Sequence, residues 1–130
     1  MADGELRRVI RGGYEEVLAK VPEALQAEGF GVLTRIDVQA TLAAKLGVPF
    51  RRFQILGACN PAFAHRALTI DLGVGVLLPC NVTVHEADDG ATVVSVVDPL
   101  QTIGARDPRL LEIAREVRER LVRALGRLGG

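Results

Sequence analysis

The sequence predicts one α+β domain, a single sheet with helices packed on it. Three observations carry that expectation. Segments with strand and helix periodicity follow one another in the order β-α-β-α-β-α-β-β-α. Asn60-Pro61 and Asp107-Pro108 each place a capping side chain directly before a proline, the arrangement that opens a helix. Asp88-Asp89-Gly90 stands between two β-rich runs, a turn signal that makes the second half of the sheet a hairpin. A β-rich middle with helices before and after it is the pattern of an α+β fold.

Taken in order, residues 5–11 read as a short strand that Gly12 and Gly13 end. Residues 14–28 have helical spacing, with Val17, Leu18, Val21, Ala24 and Leu25 on one side. Pro22 falls inside and predicts a kink or restart, because it removes one helix hydrogen bond. Residues 30–37 alternate as a strand. Asp37 caps a helix over residues 38–46 that Gly47 closes. Residues 53–59 form the next strand, and the helix opened by Asn60 runs to about Leu68. Residues 74–86 and 91–98 read as two β segments, the first required to kink or lie at an edge because Pro79 cannot donate to a ladder. A long helix from Pro108 to about Leu128 carries the stripe Leu110, Ala114, Val117, Leu121, Ala124 and Leu128. Glu116 with Arg120 and Glu119 with Arg123 are predicted i,i+4 pairs, and Arg123 and Arg127 suit the negative end of that helix.

Composition narrows the function. The 130 residues suit one domain, and 48% hydrophobic with 25% charged residues is a globular composition. The formal net charge is zero, and only 4% of residues are aromatic. Both argue against nucleic acid as a partner, which calls for excess positive charge and stacking platforms. A strip of Arg7, Arg8, Arg11, Arg51 and Arg52 therefore reads as solvated surface. No apolar run approaches the roughly 18 residues of a membrane helix, and no secretory pattern follows Met1, so the expectation is a cytoplasmic protein with Cys59 and Cys80 as reduced thiols.

Familiar catalytic signatures are missing. Ser95 is the sole serine and lies within a predicted strand, so there is no nucleophile elbow. The glycine pairs Gly29/Gly31 and Gly73/Gly75 lack the third glycine of a dinucleotide-binding turn. No catalytic motif identifies an enzyme.

One patch concentrates the chemistry that remains. Cys59 precedes the Asn60 cap at the positive end of a helix, where a thiolate is stabilised and free N–H groups can hold a small anion. His65 follows within two turns. Cys80 and Asn81 sit in the kink after Pro79. Packing explains the same residues without function, since free cysteines are most often small buried hydrophobes. Cys59, His65, Cys80 and His85 together suggest zinc, but their spacing, C-x5-H-x14-C-x4-H, is not a finger pattern, and a regular strand turns Cys80 and His85 to opposite faces. Cys59, His65 and Cys80 remain weak metal candidates.

Several blocks resemble the domain of unknown function 302 family: Gly57-Ala58-Cys59-Asn60-Pro61, Ala64-His65-Arg66-Ala67-Leu68, Gly75-Val76-Leu77-Leu78-Pro79-Cys80-Asn81-Val82 and Val97-Asp98-Pro99, with Gly29-Phe30-Gly31-Val32-Leu33-Thr34 and Ile36-Asp37-Val38 before them. The resemblance covers about residues 14–99, with the C-terminal helix at about 107–128 beyond it. It implies a compact, dimeric α+β domain and no activity. Arg35 stands where the resemblance leads one to expect an acidic residue, and residues 100–103 lack an expected methionine. The leading functional expectation is a homodimer with a small-molecule, anion or partner site at Cys59, Asn60, His65, Cys80 and Asn81. The alternative is a thiol-based redox or metal-binding protein using Cys59 and Cys80.

Overall fold

The computed structural model describes residues 5–129. Five strands make one sheet: β1 (Glu5–Ile10), β2 (Gly31–Asp37), β3 (Phe53–Cys59), β4 (Cys80–Glu86) and β5 (Thr92–Val97). Their spatial order is β1-β5-β4-β3-β2, and every neighbouring pair is antiparallel. The main helices are α1 (Tyr14–Ala27), α2 (Val38–Leu46), α3 (Pro61–Ile70), the short α4 (Ile103–Arg106) and α5 (Leu111–Gly126). This is the expected α+β architecture in the expected order.

Alternation along the strands sorts the sheet into two unlike faces. Leu6, Ile10, Leu56, Ala58, Val82, Val84, Val94 and Val96 point to one side, where they join residues of α1, α3 and α5 in a continuous core. The stripe predicted for the last helix is the stripe it buries, with Ile113 and Leu125 added. The alternate residues, among them Val9, Phe53, Ile55 and Val93, form a second face apart from that core. His85 stacks on Phe53 there, its partner across the strands, at 5.1 Å.

Local expectations meet the structure unevenly. Pro22 does not break α1, which is continuous through it. The segment before Pro79 is not a strand. Residues Leu72–Leu77 form a 3-10 helix, the Leu78-Pro79 peptide is cis, and β4 begins only at Cys80. The reason is local: Asp71 accepts from the Gly73 N–H, starting a tight turn, and Arg106 pairs with Asp71 at 2.7 Å. The last helix opens with a 3-10 turn at Pro108–Leu110 capped by Asp107, and becomes α-helical at Leu111. Three arginines of the predicted strip are taken up by carboxylates. Arg11 pairs with Asp89, Arg51 with Asp88 and Arg52 with Glu86.

Two details fix how the layers meet. Gly57 lies under Thr34 and Pro79: a Cβ there would stand 2.7 Å from Pro79 Cγ and closer still to Thr34 Oγ1, so only glycine lets the Pro79 ring settle on β3. Glu28, the C-cap of α1, is buried at the helix end where a carboxylate is least welcome. Arg123 and Arg127 of α5 and its C-cap each donate to it at 2.9 Å, and Arg120 donates to its backbone carbonyl. The predicted pairs with Glu116 and Glu119 give way to this tie between α1 and α5.

Candidate functional site: an apolar cleft with two thiols

Strand β3 ends at Cys59, and Asn60 turns the chain into α3. The Asn60 side-chain oxygen accepts from the Phe63 N–H at 3.3 Å, and Pro61 occupies the first helical position, where its missing N–H is no loss. This turn sets α3 at the edge of a cleft whose lining includes Phe30, Cys59, Asn60, Phe63, Leu78 and Cys80, together with Ile103, Ile113 and Val117. Cys80 is the first residue of β4 and stands opposite Ala58, one residue from Cys59. Both thiols line this one small space, because Cys59 lies at the point where the chain leaves β3 for α3. Cys80 is buried and Cys59 is half-buried.

The electrostatics of the pair run against an activated nucleophile. Burial pushes the Cys59 thiol up. Cys80 is pushed up to about 11, by burial first and by the neighbouring Cys59 second. Desolvation of the thiolate outweighs the favourable helix end, so both groups are protonated thiols at neutral pH. The cleft is also narrow. Its interior, about 20 Å³, suits a single water-sized guest.

The other candidate residues stand elsewhere. His65 is exposed on the outer side of α3, in a shallow groove with Arg66, Thr69, Arg109 and Glu112. Asn81 follows Cys80 in β4 and so faces the opposite side of the sheet, beside Val76, Pro79, Val97 and Thr102. The structure brings together Cys59, Asn60 and Cys80, and separates them from His65 and Asn81. Among the described residues, no group of three or more His, Cys, Asp or Glu side chains is placed to hold a metal ion.

Ile103 and Ile113 are lining residues that sequence reasoning missed, as is the short α4 that carries Ile103. A signal for this segment exists. Asp98-Pro99 repeats the Asn60-Pro61 signature, and the Asp98 carboxylate accepts from the Leu100 N–H at 3.0 Å, opening a 3-10 turn instead of only ending a strand.

These features define a one-sheet α+β domain with an apolar, thiol-lined cleft. The chain belongs to the DUF302 family, domain of unknown function DUF302, whose family model matches residues 7–128. The match takes in most of β1 and all of α5 as well as the stretch that carries the sequence resemblance. The fold is similar to the crystal structure of an uncharacterized conserved DUF302 protein from Bacillus stearothermophilus, with a TM-score of 0.89 and 35% identity, over 98% of this chain and 99% of that one. None of the curated proteins matches the chain. No helix among the described residues is long and apolar enough to cross a membrane.

Proposed function

We propose that the protein is a homodimeric binding domain of a reducing compartment such as the cytoplasm. Two copies are joined through the arm at residues 31–50, and each presents the thiol-lined cleft to a small ligand. One observation carries the dimer. Although β2 and α2 are well-formed, neither contributes a buried side chain, and the arm exposes Leu33, Ile36, Leu46, Val48 and Phe50 together. Exposed apolar surface of this kind marks an association site. A second copy is the occupant that fits. The charges among these side chains are few and of both signs, Arg35, Asp37 and Lys45, so the patch tolerates its own image across a two-fold axis. Residues 31–50 also match the roughly 20–30 residues a side of a standard interface.

Light scattering on the eluting protein tests the assembly. The expected mass is twice the 13.9 kDa chain, and Leu33→Asp combined with Phe50→Ser yields a folded monomer by circular dichroism. A wild-type monomer at high protein concentration, or a dimer indifferent to both substitutions, overturns the reading.

Burial and protonation of both thiols leave the redox alternative without support. The cleft's narrow interior also limits the ligand half of the proposal to a small guest.

A further inference from the structure

We propose that Cys59 and Cys80 form a two-coordinate site for a soft monovalent metal ion, copper(I), held between their sulfur atoms in the apolar cleft. The inference rests on the reading that this cleft takes a small ligand, and it names the ligand.

Size, donors and surroundings select the ion. The cleft admits a single water-sized guest, so an organic ligand does not fit. Its walls are mostly Phe, Ala, Leu, Ile and Val side chains, and an apolar space of this size is a poor host for water. Two thiols face the space. The only other polar lining side chain is that of Asn60, whose oxygen already caps α3. Zinc prefers four ligands in a tetrahedron, and His65 lies in the outer groove, away from the sulfurs. Copper(I) takes thiolate ligands in preference to oxygen and is satisfied by two of them in a line. Cys59 stands where β3 gives way to α3 and Cys80 where β4 begins, and both line the same cleft.

The charge balance is also provided for. On binding, each S–H bond breaks, both protons leave to solvent, and two S–Cu bonds form. Copper stays at the +1 state and no electron moves. The complex carries one negative charge. It lies beside the N-terminal end of the ten-residue helix α3, whose dipole favours negative charge. The Arg120 guanidinium lies over the Phe63 ring, which lines the cleft, at 5.2 Å from its centre. The half-buried Cys59 is the side from which the ion enters.

The test uses the reduced full chain under anaerobic conditions, with copper(I) supplied against a chromophoric copper(I) chelator such as bicinchoninate. One ion per chain is expected, with two sulfur neighbours in the X-ray absorption spectrum. Cys59→Ser and Cys80→Ser should each lose that ion to the chelator. Cys59→Ser is the decisive variant, because its half-exposed side chain makes misfolding the lesser concern, and circular dichroism checks it. Because two protons leave, affinity should rise about a hundredfold per pH unit below the thiol range. Zinc offered in the same way should not be retained. Failure of the wild type to hold copper(I), a stoichiometry of half an ion per chain, nitrogen neighbours in the spectrum, or retention by folded Cys59→Ser overturns the proposal. Light scattering on the copper-free chain reads the dimer separately, so loss of one property is never mistaken for loss of the other.

Discussion

The sheet has two edges, β1 and β2, and they are built to opposite ends. Strand β1 buries Leu6 and Ile10 in the core, and Arg8 of β1 donates to the Gly129 carbonyl at the end of the chain. Arg7, Arg8 and Arg11 line or follow it, the charged side chains that blunt an edge against further pairing. Strand β2 has the same length class and a similar sequence pattern, yet its residues lie in the open apart from the half-buried Val32. The ladder between β2 and β3 shifts register at Leu33, which points its side chain to solvent at 66% exposure. The helix that follows, α2, has an N-cap at Asp37 and a left-handed Gly47 at its end, so its ends are well made. What it lacks is a buried face. Local signals thus suffice to form an element, while burial decides what holds it to the rest of the molecule.

The largest test of this contrast is made on the buried side. Leu121 of α5 has no exposed surface. Leu121→Ala should cost about 2–5 kcal/mol, a transfer loss together with the cavity left behind. Urea denaturation with an unchanged slope and a lowered midpoint would report it. A loss below about 1 kcal/mol would mean that the α5 side of the core is far more yielding than its burial implies.

Much of this contrast could not be read beforehand, and the reasons are physical. Start and stop signals are local chemistry, so Asn60-Pro61, Asp37 and Gly47 are read correctly in the sequence. The stripe on α5 is legible for the same reason, as periodicity is a property of one helix. Residues 72–77 are as apolar as a strand, and only the capping aspartate at Asp71 and the proline at 79 argue otherwise. The α2 arm reads as an ordinary strand and helix because no single segment reveals whether another will cover it. The site is legible in part. Cys59 and Cys80 come together where β3 turns into α3 beside the start of β4, a meeting that neither segment shows alone. Asn81 leaves them through the alternation of a strand, and His65 leaves them by its position on the outer side of α3.

A second test, of intermediate size, concerns the link between α1 and α5. Hydrogen bonds from Arg127 and Arg123 hold the Glu28 carboxyl below its ordinary value of 4.5. The folded-state value is thus lower than the unfolded one, so the unfolded chain binds more protons and stability rises with pH through this window. The contribution is fully present above about 4.5 and is lost as pH falls through the folded value. Glu28→Gln removes the charge at every pH. The urea midpoints of the variant and the wild type should therefore differ most at neutral pH and converge as pH falls below 4.5. A constant gap between them would show that the carboxylate's packing, and not its charge, ties the two helices. Asp71, Glu86, Asp89 and Asp107 are also lowered by arginine partners, so acid should weaken the variant as well, through them.

The smallest expected effect is the most telling for the arm. Leu46 closes α2 with 68% of its surface exposed. In dilute solution, where single chains predominate, Leu46→Ala should change stability by no more than about 0.5 kcal/mol, the usual range for a surface substitution. Truncation there leaves no cavity, and alanine is at least as good a helix former as leucine. At high concentration the dimer proposed above adds a second expectation. Association stabilises the folded chain by mass action, so the wild-type midpoint should climb with concentration and the variant's should climb less. A core-sized loss in dilute solution would mean that Leu46 packs within its own chain, and the arm would then belong with the covered side of the sheet. No concentration dependence in either protein would leave the arm exposed in the single chain, and its apolar side chains would need an occupant other than a second copy.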